Sequence, residues 1–141
     1  MVFNEQARRN IIRARLDLEK AKKILINLDS MPESSVKLYI ENLLSAMNLM
    51  SQVLLQLQTG SNKPEGFEDL NREVLNKMKL ESKLYDLYFY LKNMTYRQIK
   101  KTTEGIEVGT WKASKKISKV ELKEFYESVK AFVENVIKLV N

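Results

Sequence analysis

Apolar positions fall in helical register along most of the chain. Ile11, Ala14, Leu18, Ala21, Leu25 and Leu28 recur at alternating steps of three and four, with Arg13, Arg15, Lys20, Lys22 and Lys23 largely on the other face. That spacing predicts an amphipathic first helix. The pattern breaks at Asp29-Ser30-Met31-Pro32-Glu33, where proline is tolerated only in a first helical turn and Ser30 with Glu33 has the spacing of a capping box, so a second helix is expected to start there. Its stripe runs Val36, Ile40, Leu43, Met47, Met50, Leu54 and Leu57. It ends at Thr59-Gly60, where glycine suits a left-handed C-cap.

The polar stretch Ser61 to Gly66 reads as a linker, and a third helix is expected from near Phe67 through Leu70, Val74, Met78, Leu84, Leu87 and Leu91. Tyr85, Tyr88, Phe89 and Tyr90 widen its apolar surface beyond one core-facing stripe. The helix should therefore lie centrally in a bundle or bury a second face, and Tyr85, Tyr88 and Phe89 become candidates for the interface of a symmetric homodimer. After Asn93 the period weakens. Gly105 and Gly109 bracket the β-prone Ile106-Glu107-Val108, so Thr102 to Lys116 reads as a loop with at most a short hairpin. Ser118 and Glu121 form a second capping box ahead of Leu122, Phe125, Val129, Phe132, Val136 and Val140, the last helix. The expected fold is all-α: one domain over residues 1–141, an antiparallel up-down four-helix bundle with a loop or hairpin insert before the last helix.

Composition sharpens this in two ways. Four glycines and two prolines in 141 residues leave little turn material, which favours long helices. No apolar run approaches the roughly 18 residues of a membrane span and Met1 to Arg9 lacks the apolar core of a signal peptide, so a cytoplasmic protein with no membrane partner is expected. The chain also contains no histidine and no cysteine. Thiolate nucleophiles, disulfides, zinc-thiolate sites and imidazole acid-base chemistry are thereby excluded, and an enzyme would have to use carboxylates, lysine or tyrosine. Glu121, Glu124 and Glu127 with Glu65, Glu68 and Asp69 could in principle hold Mg²⁺, the basis of an alternative reading as a carboxylate-dependent nucleotide hydrolase. Acids in a first helical turn ordinarily serve the helix dipole instead. No catalytic residue, metal or cofactor is assigned.

Charge is uneven. Lys92 to Lys119 holds eight basic residues against two acids, Glu104 and Glu107, so this segment carries the entire net charge of +6. Arg97, Lys100, Lys101, Lys112, Lys115 and Lys116, with Tyr96 and Trp111 interleaved, suit phosphate contacts combined with base stacking. These residues, with Trp111 as the stacking ring, form the candidate nucleic-acid site. The alternative is a structural or interaction bundle whose lysines are merely solvated.

The order of elements resembles the HEPN superfamily: a charged amphipathic helix (RARLDLEKAKKIL), a helix of the type LLSAMNLMSQVLLQL, a third helix ending LYDLYFYLKNMTYRQIKK, a short insert, and the closing VELKEFYESVKAFVENVIKLV. The resemblance implies an α-bundle that commonly dimerises, and either a metal-independent ribonuclease or a partner of a nucleotidyltransferase in toxin-antitoxin pairs. The family's R-x(4–6)-H motif would put its arginine at Arg97, yet Thr102, Thr103 and Glu104 stand where the histidine belongs. What the resemblance then implies is a non-catalytic binding protein.

Overall fold

The computed structural model describes residues 5–59, 66–70, 83–109 and 112–140. Among these, four α-helices dominate: α1 (Glu5–Ile26), α2 (Glu33–Thr59), α3 (Lys83–Thr95) and α4 (Lys119–Val140). A three-stranded antiparallel sheet lies between the last two, in order β1 (Ile99–Lys101), β2 (Gly105–Gly109), β3 (Ser114–Ser118). The molecule is mainly helical, and the expectation of an all-α fold is corrected by this sheet.

Helix α1 buries Ile11, Ala14, Leu18 and Ala21, the stripe its period predicts. Its two fully buried alanines leave α2 room to approach closely. The one polar group on that face, Asn10, is satisfied by donating to Gln52 Oε1 at 3.0 Å and accepting from Gln6 at 3.0 Å. Pairing the start of α1 with the end of α2 makes the two antiparallel. Helix α2 is buried nearly all round, from Val36 to Leu55, as befits a helix touching α1, α3, α4 and β1. Near its start the Tyr39 hydroxyl donates to the Leu122 carbonyl at the start of α4, so the first turns of those two helices lie together. Burial pushes the Tyr39 phenol well above its ordinary pKa, which keeps it a neutral donor.

The turns differ from expectation in their wiring. Helix α2 does start at Glu33, but no Ser30–Glu33 capping box forms. Ser30 Oγ donates back to Asn27 O at 3.0 Å, and the Glu33 carboxylate accepts from the Lys101 backbone N–H at 3.3 Å. A long-range donor from β1 has displaced the local one. The Ser118–Glu121 box does form: Glu121 N donates to Ser118 Oγ at 3.1 Å, and the Glu121 carboxylate accepts from Ser118 N at 3.5 Å. A helix starting at Phe67 does not. Phe67–Asp69 is a single 3₁₀ turn, and Leu70 is extended at φ −79°, ψ 139°. The expected linker residues 61–65 and the core positions Val74 and Met78 lie outside the described residues.

That 3₁₀ turn is fixed by Asn48 on α2, whose Oδ1 accepts from Phe67 N at 2.9 Å and from Tyr88 OH on α3 at 3.2 Å. Gly66 permits the approach, because a Cβ there would stand 2.7 Å from Asn48 Oδ1. Phe67 then stacks on Tyr88 at 4.7 Å and meets Phe132 of α4 edge-on at 5.7 Å. One ring thereby joins α3 to α4 over α2.

Candidate functional site

The sheet decides what each lysine can do. Successive residues of a strand point to opposite faces, and residues paired across strands share a face. The register pairs Ile99 with Val108 and Lys101 with Ile106, and then Ile106 with Ile117 and Val108 with Lys115. Ile106, Val108 and Ile117 are buried in the main core, so this face is the inner one. Lys100, Glu107 and Lys116 pair across the opposite, outer face. Neighbouring lysines in sequence, Lys100-Lys101 and Lys115-Lys116, are thus sent to opposite sides.

On the inner face Lys101 passes under the sheet to the α1–α2 turn. Its Nζ donates to Leu28 O at 3.0 Å, to Asp29 O at 3.3 Å and, closer still, to Met31 O. Three carbonyls at the end of the 3₁₀ turn Leu28–Ser30 thereby gain one charged donor. Lys115 lies with its ammonium 4.6 Å from the Tyr90 ring centroid, and its pKa is raised, chiefly by hydrogen bonding to Tyr90. Tyr90 packs in turn on Phe125 at 5.8 Å. Two further members of the basic segment are paired: Lys92 with Glu68, which raises the lysine pKa, and Lys119 with Asp29 at 2.8 Å, which lowers the Asp29 carboxyl through the Lys119 hydrogen bond and charge.

Four basic side chains remain. Arg97, Lys100, Lys112 and Lys116 are exposed and have no side-chain hydrogen bond or ion pair among the described residues. Arg97 and Tyr96 form the turn from α3 into β1, and Tyr96 is 76% exposed. Lys112 sits in the β2–β3 loop. The neighbouring acid, Glu107, accepts from Ser114 Oγ. Trp111, the expected stacking ring, lies outside the described residues. Of the six sequence-assigned basic residues the fold leaves four available and commits Lys101 and Lys115 to structural contacts.

The aromatic candidates divide likewise. Tyr88 is only 5% exposed and its hydroxyl is held by Asn48, so it belongs to the protomer core, and burial raises its pKa. Tyr85 is half-buried against Phe67 and Phe89. Phe89, 37% exposed, alone presents a large outward surface. The carboxylates considered for Mg²⁺ are dispersed: Glu68 is taken by Lys92, Asp69 accepts from Gly66 N at 2.8 Å, and Glu121 caps α4. Glu65 lies outside the described residues, and among those described no three acids are grouped to hold a metal ion.

Arg97 stands beyond the end of α3, whereas 102–104 form the β1–β2 turn, closed by Thr102 N on Gly105 O at 3.0 Å. The intervening strand of three residues alone spans about 10 Å. A side chain at 102–104 is thereby carried away from Arg97.

Sequence reasoning missed a cleft between α2 and α3 of about 480 Å³, lined by Glu41, Leu44, Ser45, Asn48, Tyr88 and Tyr96 among others. Its residues are spread over 56 positions with no motif, so only the packing reveals it. A second groove, between α1 and α4, has an apolar floor of Leu18, Val133 and Ile137 under Arg15, Lys22, Lys130 and Lys138. No helix among the described residues is long and apolar enough to cross a membrane. Comparison with family models, with curated proteins and with solved structures finds no match for this chain.

Proposed function

We propose that this chain is a non-catalytic, HEPN-like RNA-binding protein, an up-down four-helix bundle whose inserted sheet presents its outer face to the phosphates of a single strand. The observation that carries this reading is the partitioning of the basic segment. Arg97, Lys100, Lys112 and Lys116 lie at the surface with no partner among the described residues, with an exposed tyrosine beside Arg97, while Lys101 and Lys115 are engaged by carbonyls and a ring of the protein itself. Unpaired cations near an exposed ring suit sequence-tolerant single-strand binding. The absence of the R-x(4–6)-H histidine, and the strand that separates Arg97 from 102–104, favour binding without cleavage. Dimerisation would use the side of α3 that carries Phe89 and Tyr85.

A second reading has its own observation. Ile12 and Leu16, one turn apart on α1, are 59% and 48% exposed, a pair suited to a helix of a partner protein such as a nucleotidyltransferase. The two readings separate by salt. Anisotropy titrations of a short single-stranded RNA should show affinity falling steeply with salt, and Lys100→Ala with Lys116→Ala should flatten the log-log slope by about 1.4, near 0.7 per lost phosphate contact. Parent protein that shows no salt-dependent RNA binding would overturn the first reading and leave the second.

A further inference from the structure

The α2–α3 cleft opens beside the turn that carries Tyr96 and Arg97, so it adjoins the surface just assigned to RNA. Its volume of about 480 Å³ falls within the ordinary range for small-ligand sites. Leu44, Leu49 and the ring of Tyr88 line it with apolar surface, and exposed Tyr96 stands at its edge. Glu41 and Ser45, both lining it, have no hydrogen bond or ion pair among the described residues. The cation lining the cleft, Lys92, is taken by Glu68. Among the described residues the cleft therefore offers a carboxylate with no paired cation beside an apolar floor and an aromatic face.

Such a cleft repels phosphate and favours a flat, donor-bearing ligand. A carboxylate has two acceptor oxygens and prefers two parallel N–H donors. Among the nucleobases only guanine presents adjacent donors, N1–H and N2–H, on its Watson–Crick edge. Adenine and cytosine would turn a ring-nitrogen acceptor toward one carboxylate oxygen, and uracil would turn its carbonyls. Tyr96 and Arg97 are adjacent in sequence, so a base held by the first leaves its phosphate within reach of the second.

We propose that the α2–α3 cleft receives one guanine base turned out of the bound strand, with Glu41 accepting from N1–H and N2–H and Tyr96 stacking on the ring. This rests on the RNA-binding reading for its setting but has a test of its own. The first measurement compares uridine-rich strands that carry G, A, C or U at one position. The G strand should bind roughly tenfold or more tightly. Glu41→Gln, which replaces one acceptor by a donor at an exposed position, should erase that preference and leave both the all-uridine affinity and the salt slope unchanged. Tyr96→Ala should weaken the G strand about tenfold. Equal affinity for all four strands, or a G preference that survives Glu41→Gln, would overturn the proposal while leaving the sheet's role intact. The second measurement titrates the intact chain with guanosine and with adenosine, followed by NMR. Guanosine-selective shifts at Glu41 and Tyr96 without strand binding would uphold the cleft and refute the sheet; no response to nucleoside or strand refutes both.

Discussion

The two faces of the small sheet both carry lysines, and those lysines do opposite work. The inner face holds Ile106, Val108 and Ile117 at full burial, and its lysines are engaged by the protein itself: Lys101 closes three carbonyls of the α1–α2 turn, and Lys115, though exposed, lies over Tyr90. The outer face holds Lys100, Glu107 and Lys116 with no packing duty. A lysine's contribution here is set by the parity of its position in the strand rather than by local charge density. A basic run in sequence overstates a binding surface whenever it is folded into a pleat.

The comparison breaks most severely if the sheet cannot form. Gly105 adopts φ +158°, and a Cβ there would lie 2.0 Å from the Ile117 carbonyl oxygen of β3. That atom is backbone in a paired strand and cannot yield. Gly105→Ala should cost about 3 kcal/mol and lower Tm by about 10 °C in a calorimetric melt. An unchanged melt would mean that β2 and β3 are not paired as described. A smaller effect sharpens the contrast between faces. Lys101→Ala leaves three carbonyls without their charged donor and should cost about 1 to 3 kcal/mol, whereas Lys100→Ala, one residue away, should stay within about 0.5 kcal/mol in denaturant unfolding. Equal effects would erase the distinction.

The smallest effect concerns the clasp beside Lys101. Lys119 holds the Asp29 carboxyl below its ordinary value, so its folded pKa lies under its unfolded one. The pair therefore stabilises the protein above the usual carboxylate range, and that contribution is lost as pH falls through the depressed folded value. Asp29→Asn should make the acid limb of the stability curve slightly shallower between about pH 5 and pH 2, with little change near neutrality. An identical acid limb in both proteins would show that the pair does not persist in solution.

Helices were legible because period survives without tertiary information: the stripes of α1, α2 and α4 bury as spaced, and Ser118–Glu121 caps α4 as read. Strands β1 and β3 were not. Each has one isoleucine among lysines and serines, and the inward positions that alternation would reserve for apolar residues are held by Lys101 and Lys115. Lysine can fill such a place because its aliphatic stem packs while its ammonium finds carbonyls or a ring. The Ser30–Glu33 box failed for a related reason, since Glu33 found a better donor on β1. The cleft was invisible because its donors and acceptors come from two helices with no shared motif.

The Lys101 contact also orders events in time. The carbonyls it grips lie 70 to 73 residues earlier in the chain, whereas the α1–α2 hairpin closes through a turn of a few residues. Loop closure over the longer span carries the larger entropic cost, and the sheet's own pairings are short-range. The short-range pairings of the hairpin and of the sheet are therefore expected to form before the Lys101 contact that joins them, as a folding study of Lys101→Ala would show by a faster unfolding rate with little change in folding rate.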